Sequence, residues 1–158
     1  MRFFYLVQSL FFTGAVLEGQ AQEYDYPTAT QNIPAFPTAE GFGKFATGGR
    51  GGRVVTVTNL EDDPTTPPVG SLRWALAQYP DEPITVVFNC SGWIILKDVL
   101  RVTRTAGLII AGQTAPGEGI TLYPRMFSIN GAKNIVVRNM RFRTGSHGWD
   151  GSDLVKDA

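Results

Sequence analysis

From Ile84 onward the chain alternates short apolar runs with glycine-containing and polar turns. The runs are Val86-Val87-Phe88, Ile94-Ile95-Leu96, Leu100-Arg101-Val102, Leu108-Ile109-Ile110, Ile120-Thr121-Leu122, Phe127-Ser128-Ile129, Ile135-Val136-Val137 and Met140-Arg141-Phe142. Taken three at a time they recur: the first of each trio starts at 86, 108 and 135, the second at 94, 120 and 140, the third at 100 and 127. Steps of 20 to 27 residues carrying three strands each are the signature of a stacked solenoid, in which every strand pairs with its counterpart one step along. Three parallel sheets around a narrow core follow. An antiparallel sandwich has a similar composition, but no two runs are joined by the two-residue Asn-Gly or Asp-Gly turn that marks a tight hairpin.

Upstream, Arg53-Val54-Val55-Thr56-Val57-Thr58 alternates with β-branched residues and predicts a strand. After a loop with three prolines, Pro64, Pro67 and Pro68, Ser71 is a good helix N-cap, and Leu72, Ala75 and Leu76 share one helical face. This predicts one short amphipathic helix from Leu72 to about Gln78, ended by Pro80. A solenoid leaves its hydrophobic end open, and such a helix just before the first coil would cap it. In the last repeat, period-2 alternation turns Ile135 and Val137 inward and Val136 and Arg138 outward. After a bend near Asn139, Met140 and Phe142 turn inward and Arg141 and Arg143 outward, which puts three arginines on the outside of one turn.

Charge adds an asymmetry. Lys+Arg and Asp+Glu total 14 each in 158 residues, so no global field favours nucleic acid or a membrane surface. From Arg101 to Gly145, however, Arg101, Arg104, Arg125, Lys133, Arg138, Arg141 and Arg143 stand against the single acid Glu118. Such a run is either a set of outward polar positions that happen to be basic or a surface that meets an anionic ligand. Because the basic residues are not interleaved with aromatic residues, the pattern argues against nucleic acid. Acids return at Asp150, Asp153 and Asp157.

Residues 1–21 have the three parts of a secretory signal: Arg2, the mostly apolar Phe3–Val16, and small residues at Gly19 and Ala21. The apolar run, interrupted by Gln8 and Ser9, is short for a bilayer span, so no membrane association is expected once the signal is removed. The mature chain would start near Gln22 and be secreted, to the exterior or a periplasm. Residues 22–37 are rich in proline and threonine without a period and read as a leader or linker. The rest, 38–158, reads as one β-helical unit. The one cysteine, Cys90, cannot form an internal disulfide and sits in an apolar run as a small buried thiol.

The glycine-dense stretch Gly48-Gly49-Arg50-Gly51-Gly52 lacks the Gly-Lys-Ser/Thr ending and the preceding strand of a phosphate loop, and predicts tight turns with positive φ instead. With Ala35-Phe36-Pro37-Thr38-Ala39-Glu40-Gly41-Phe42-Gly43-Lys44 before it, this stretch resembles the opening of bacterial-type pectate lyases of the first polysaccharide lyase family. Val57-Thr58-Asn59-Leu60, Gly70-Ser71-Leu72-Arg73, Ile109-Ile110-Ala111-Gly112-Gln113-Thr114-Ala115-Pro116-Gly117 and Asn134-Ile135-Val136-Val137-Arg138 are similar to that family's later landmarks, in the family's order. The resemblance spans about Ala35 to Arg143 and implies a right-handed parallel β-helix, here stopped after about three coils.

It also implies a secreted, monomeric, Ca²⁺-dependent lyase that cleaves anionic plant cell-wall polygalacturonate by β-elimination. In that family the first calcium aspartate follows the strand resembling Asn134–Phe142. Asp157 matches its Asp-Ala context, while Asp150 and Asp153 are nearer to its Asp-Gly-Asp form; all three are hard-oxygen donors of the kind calcium takes. His147, the one histidine, lies in the same stretch, where exposure is the simplest reading and a catalytic or metal role the sharper one. The resemblance places the remaining carboxylates and the general-base arginine beyond Ala158, so no catalytic residue is assigned within the chain, which is expected to be inactive alone. A non-catalytic β-helix that holds anionic polysaccharide is the alternative, and action on another uronate or a neutral glycan is a third, since fold does not fix function.

Overall fold

The computed structural model describes residues 33–104 and 106–145. Nine short strands form three parallel sheets. Sheet A contains β1 (Arg53–Val57), β2 (Ile84–Phe88), β5 (Leu108–Ala111) and β8 (Ile135–Arg138) in that order. Sheet B contains β3 (Gly92–Ile95), β6 (Ile120–Tyr123) and β9 (Met140–Phe142), and sheet C contains β4 (Leu100–Val102) and β7 (Phe127–Ile129). Every pairing is parallel and joins a strand to its counterpart one coil along. This is the parallel β-helix that the three-strand period predicts.

The apolar alternation explains the packing. In register, Val55, Val86, Ile110 and Val137 form one ladder across sheet A, and Ile84, Leu108 and Ile135 form the next. Ile94 and Leu122 face them from sheet B, Leu100 and Val102 from sheet C. Most of these side chains are fully buried, each worth roughly 1.5–3 kcal/mol relative to exposure. On β8, Ile135 and Val137 pack against the core as the alternation requires. Val136 points outward yet is buried too, because Gly48 of the N-terminal segment lies against its side chain.

Two expectations are corrected. The strand at Arg53–Val57 is the first strand of sheet A, in register with β2, so the solenoid starts one strand earlier than the apolar runs suggest. The helix α1 (Leu72–Ala77) therefore lies within the first coil, after β1, and not ahead of it. The long insertion between β1 and β2 stretches that step beyond the later ones and hides it from a period count. The capping role of the helix survives: Leu72, Ala75 and Leu76 join the core cluster. Ser71 accepts a hydrogen bond from the Trp74 amide at 3.2 Å, while Gln78 and Tyr79 leave the helical region, Tyr79 with φ 45°.

The glycine-rich segment serves close approach as well as turns. A Cβ on Gly49 would sit 2.0 Å from the Ile84 carbonyl oxygen, and one on Gly48 would sit 2.5 Å from the Ile109 side chain. Gly48 also has φ +57°, so it meets both requirements at once. The segment thereby lies flat on the outer face of sheet A, where Phe36 also receives the guanidinium of Arg138 over its ring at 4.3 Å.

Candidate functional site

The basic stretch does not form one face. Arg101 projects, exposed, from β4 between the buried Leu100 and Val102 of sheet C. Arg138 is on the outside of sheet A against Phe36. Arg141, exposed, lies on sheet B in register with Thr121, and its guanidinium donates to the Glu118 carbonyl. The exposed Arg143 follows it, with its amide bonded to the Leu122 carbonyl at 2.9 Å. The three arginines of the last coil are thus outside the barrel as the alternation predicts, but divided between two sheets.

Arg104 leaves the list of surface cations altogether. It is 8% exposed, and its guanidinium donates to the carbonyls of Leu76 (3.2 Å), Gln78 (2.8 Å), Tyr79 and Glu82 (2.6 Å). Those carbonyls include the end of α1, which a cation near the helix C-terminus satisfies. Arg73 is similarly occupied: it binds both carboxylate oxygens of the buried Asp62, at 2.7 and 2.9 Å, and the Val99 and Asp98 carbonyls. A cavity of about 490 Å³ lies between α1 and the edge of sheet C, lined in part by Pro64, Pro67, Leu76 and Arg101. Since Arg73 and Arg104 are tied into the scaffold there, Arg101 is its exposed cation.

The acids proposed as calcium ligands, Asp150, Asp153 and Asp157, lie outside the described residues, as does His147. Among the described residues no group of three or more His, Cys, Asp or Glu could hold a metal. After β9 the chain runs beside β6, with the Gly145 amide donating to the Pro124 carbonyl at 3.1 Å. A Cβ on Gly145 would sit 3.1 Å from the Tyr123 ring. The described residues therefore end beside sheet B.

Across that sheet the coils assemble aromatic residues that are far apart in sequence. Trp93, 57% exposed, is in register with Thr121, which is in register with Arg141. Tyr123 contacts Trp93 edge to face, with ring centroids 5.8 Å apart. The aromatics of β3 and β6 thus lie next to the arginines at β9 in space, though they are far apart along the chain. Sequence reading missed this, and the signal that reveals it is the register: residues one coil apart are strand neighbours.

Among the described residues, three groups have shifted proton affinities. Hydrogen bonds from the Thr66 and Thr65 amides hold the Asp63 carboxyl below its usual range. Burial pushes the Cys90 thiol up, consistent with an unreactive, half-buried cysteine. The Arg53 guanidinium is raised by its hydrogen bond and ion pair with Glu82 at 2.7 Å.

No family model matches the chain. It is 45% identical over 127 residues to the probable pectate lyase C of Emericella nidulans, a match covering 80% of this chain and 28% of that protein. To the probable pectate lyase C of Aspergillus fumigatus it is 42% identical over 130 residues, covering 82% and 29% respectively. Pectate lyase 5 of Ambrosia artemisiifolia is 30% identical over 105 residues, covering 65% of this chain and 24% of that protein. The fold is similar to the crystal structure of Jun a 1, the major cedar pollen allergen, with TM-score 0.54 and 25% identity over 66% of this chain and 29% of that one. The chain thus spans under a third of the length of each of these relatives. With this identity over four-fifths of its length and a fold like that of Jun a 1, the chain is a homologue of the pectate lyases.

Proposed function

We propose that this chain is part of a secreted polysaccharide lyase that cleaves polygalacturonate by calcium-dependent β-elimination. The observation that carries the reading is identity of 42 to 45% to named probable pectate lyases over four-fifths of the chain, aligned on a β-helix. The exposed arginines of sheets B and C give carboxylate-binding groups on its exterior. Asp150, Asp153 and Asp157 are the residues that would hold calcium; three carboxylates supply the hard oxygen donors that ion takes. When bound, calcium would neutralise a substrate carboxylate and acidify the adjacent C–H bond. The described residues contribute the scaffold: β9 runs in register with β6, and the chain after it passes Tyr123.

The chain as given spans under a third of its relatives, and we expect it to bind polygalacturonate without cutting it. Calorimetric titration with Ca²⁺ should show weak binding that Asp150→Asn, Asp153→Asn and Asp157→Asn together abolish. Incubation with polygalacturonate should release no unsaturated uronate by ultraviolet absorbance, whereas a chain extended to the length of the relatives should release it in a chelator-sensitive way. Appearance of that product from the 158-residue chain overturns the assignment of the chemistry to later coils. Absence of it from the extended chain overturns the lyase reading and leaves the non-catalytic polysaccharide-binding module.

A further inference from the structure

We infer that the outer face of sheet B is a polysaccharide-binding surface that works without calcium and holds a linear polyuronate by stacking on Trp93 and by ion pairing to Arg141 and Arg143. The inference rests on the polyuronate reading above and adds a place and a mode of binding to it.

Four observations meet on this face. Trp93 is a large aromatic side chain left 57% exposed in the middle of a regular strand, with Ile95 beside it 38% exposed. An exposed indole and isoleucine on a flat sheet form an apolar platform of the kind that marks an interaction site. Tyr123 abuts the indole edge to face, which braces the ring against rotation and leaves a face for a ligand. Arg141 is in the same cross-sheet row as Trp93, two strands away, or roughly 9.6 Å at the usual spacing. Its bond to the Glu118 carbonyl directs the guanidinium along the surface, and Arg143 extends the positive edge one row further, beside Tyr123.

A sugar ring offers apolar C–H faces and, in a uronate, one carboxylate. The indole suits the first and a guanidinium the second, with bidentate geometry that lysine lacks. The distance between the two is a span that a short oligosaccharide covers. A phosphate polymer is less well served, since the chain carries no net charge and nucleic-acid affinity rests mainly on neutralising many phosphates. The occupant is therefore a polyuronate, and an oligonucleotide becomes an arm of the test.

The experiment is affinity electrophoresis of the full 158-residue chain through gels containing polygalacturonate, neutral galactan or no polymer, run with chelator so that no calcium-mediated contact contributes and, in a parallel set, with calcium. Polygalacturonate should retard the chain and galactan should not, and added salt should release it. Trp93→Ala and the pair Arg141→Gln with Arg143→Gln should each weaken retention about tenfold. All these side chains are exposed, and circular dichroism should show the parent fold in both variants. Unchanged retention of both variants overturns the proposal, as does equal retardation by galactan, or stronger competition by a single-stranded oligonucleotide than by galacturonate oligomers. The outcomes stay distinct from those of the lyase reading: loss of calcium binding in the aspartate variants leaves retention in chelator untouched, and retention that appears only with calcium defeats this surface while sparing the lyase.

Discussion

Asp62 illustrates how much of this small structure depends on single buried charges. Its carboxylate is almost fully covered, with side-chain exposure of 1% against 13% for Arg73. Besides both bonds to Arg73 it accepts the Lys97 amide at 2.9 Å, so one side chain ties the proline-rich loop, α1 and the end of β3 together. Asp62→Ala should cost about 3–5 kcal/mol, because it leaves the guanidinium without its counter-charge; chemical denaturation with an unchanged m-value would measure it. Arg104→Met should cost a similar amount, on the order of 3 kcal/mol, by stranding the carbonyls at the end of α1. Its proteolytic signature should be cleavage near Tyr79, where the chain loses its anchor.

Proton linkage at the residue scale has a definite sign. Asp63 is held below its ordinary value by two amides, so its contribution is present above the unfolded carboxylate range and is lost as pH falls through the lowered one. Protection of the Thr65 and Thr66 amides, measured against their intrinsic exchange rates, should therefore fall on acidification below the ordinary carboxylate range, and Asp63→Asn should flatten that dependence. Cys90 is shifted the other way by burial. Its contribution is complete below the ordinary thiol value and declines as pH rises through the raised one, so labelling by a thiol reagent should lag behind that of a model peptide until well above neutral pH.

At the scale of elements, α1 shows what sequence reading captures and where it fails. Ser71 as N-cap, the Leu72/Ala75/Leu76 face and the stop before Pro80 are local features, and each is as the pattern predicts. Six residues are too few for a helix to persist on propensity alone, so its stability is tertiary: the cap, the buried face and Arg104. Leu76→Ala should remove about 2–5 kcal/mol with loss of helical signal, whereas Ser71→Ala should cost nearer 1 kcal/mol. What could not be read locally was the position of the helix within the first coil, because that depends on β1 pairing with β2 across the inserted loop. The burial of Val136 and of Arg104 is likewise invisible in sequence. Alternation turns Val136 outward and residue type puts Arg104 among the surface cations; Gly48 of a distant segment covers the first, and the carbonyls at and after the end of α1 enclose the second.

For the whole molecule, the repeat made the three-sheet architecture legible, since a solenoid writes its period directly into the chain. The site was legible in part. Aspartates and arginines could be picked out by type, but the alternation placed Arg138, Arg141 and Arg143 together on one coil, while the sheets split them. The pairing of Trp93 with Tyr123 and Arg141 needed the register, which links residues 28 and 20 positions apart in successive coils. The acidic stretch after Gly145 enters as a reading of residue types alone.

The N-terminal segment lying across sheet A bears on the order of assembly. Gly48 meets Ile109 of β5 and Val136 of β8, and Phe36 lies under Arg138, so a segment synthesised before β1 docks on a surface completed about a hundred residues later. Strands can stack coil by coil as they emerge, but this strap must wait, a non-local step of the kind that slows folding. A nascent chain arrested before β8 should expose the strap to protease while β1 and β2 are already protected, and one arrested after β9 should shield both. The glycines that let the strap lie flat would thus time its closure, fastening the barrel only once its fourth coil is in place.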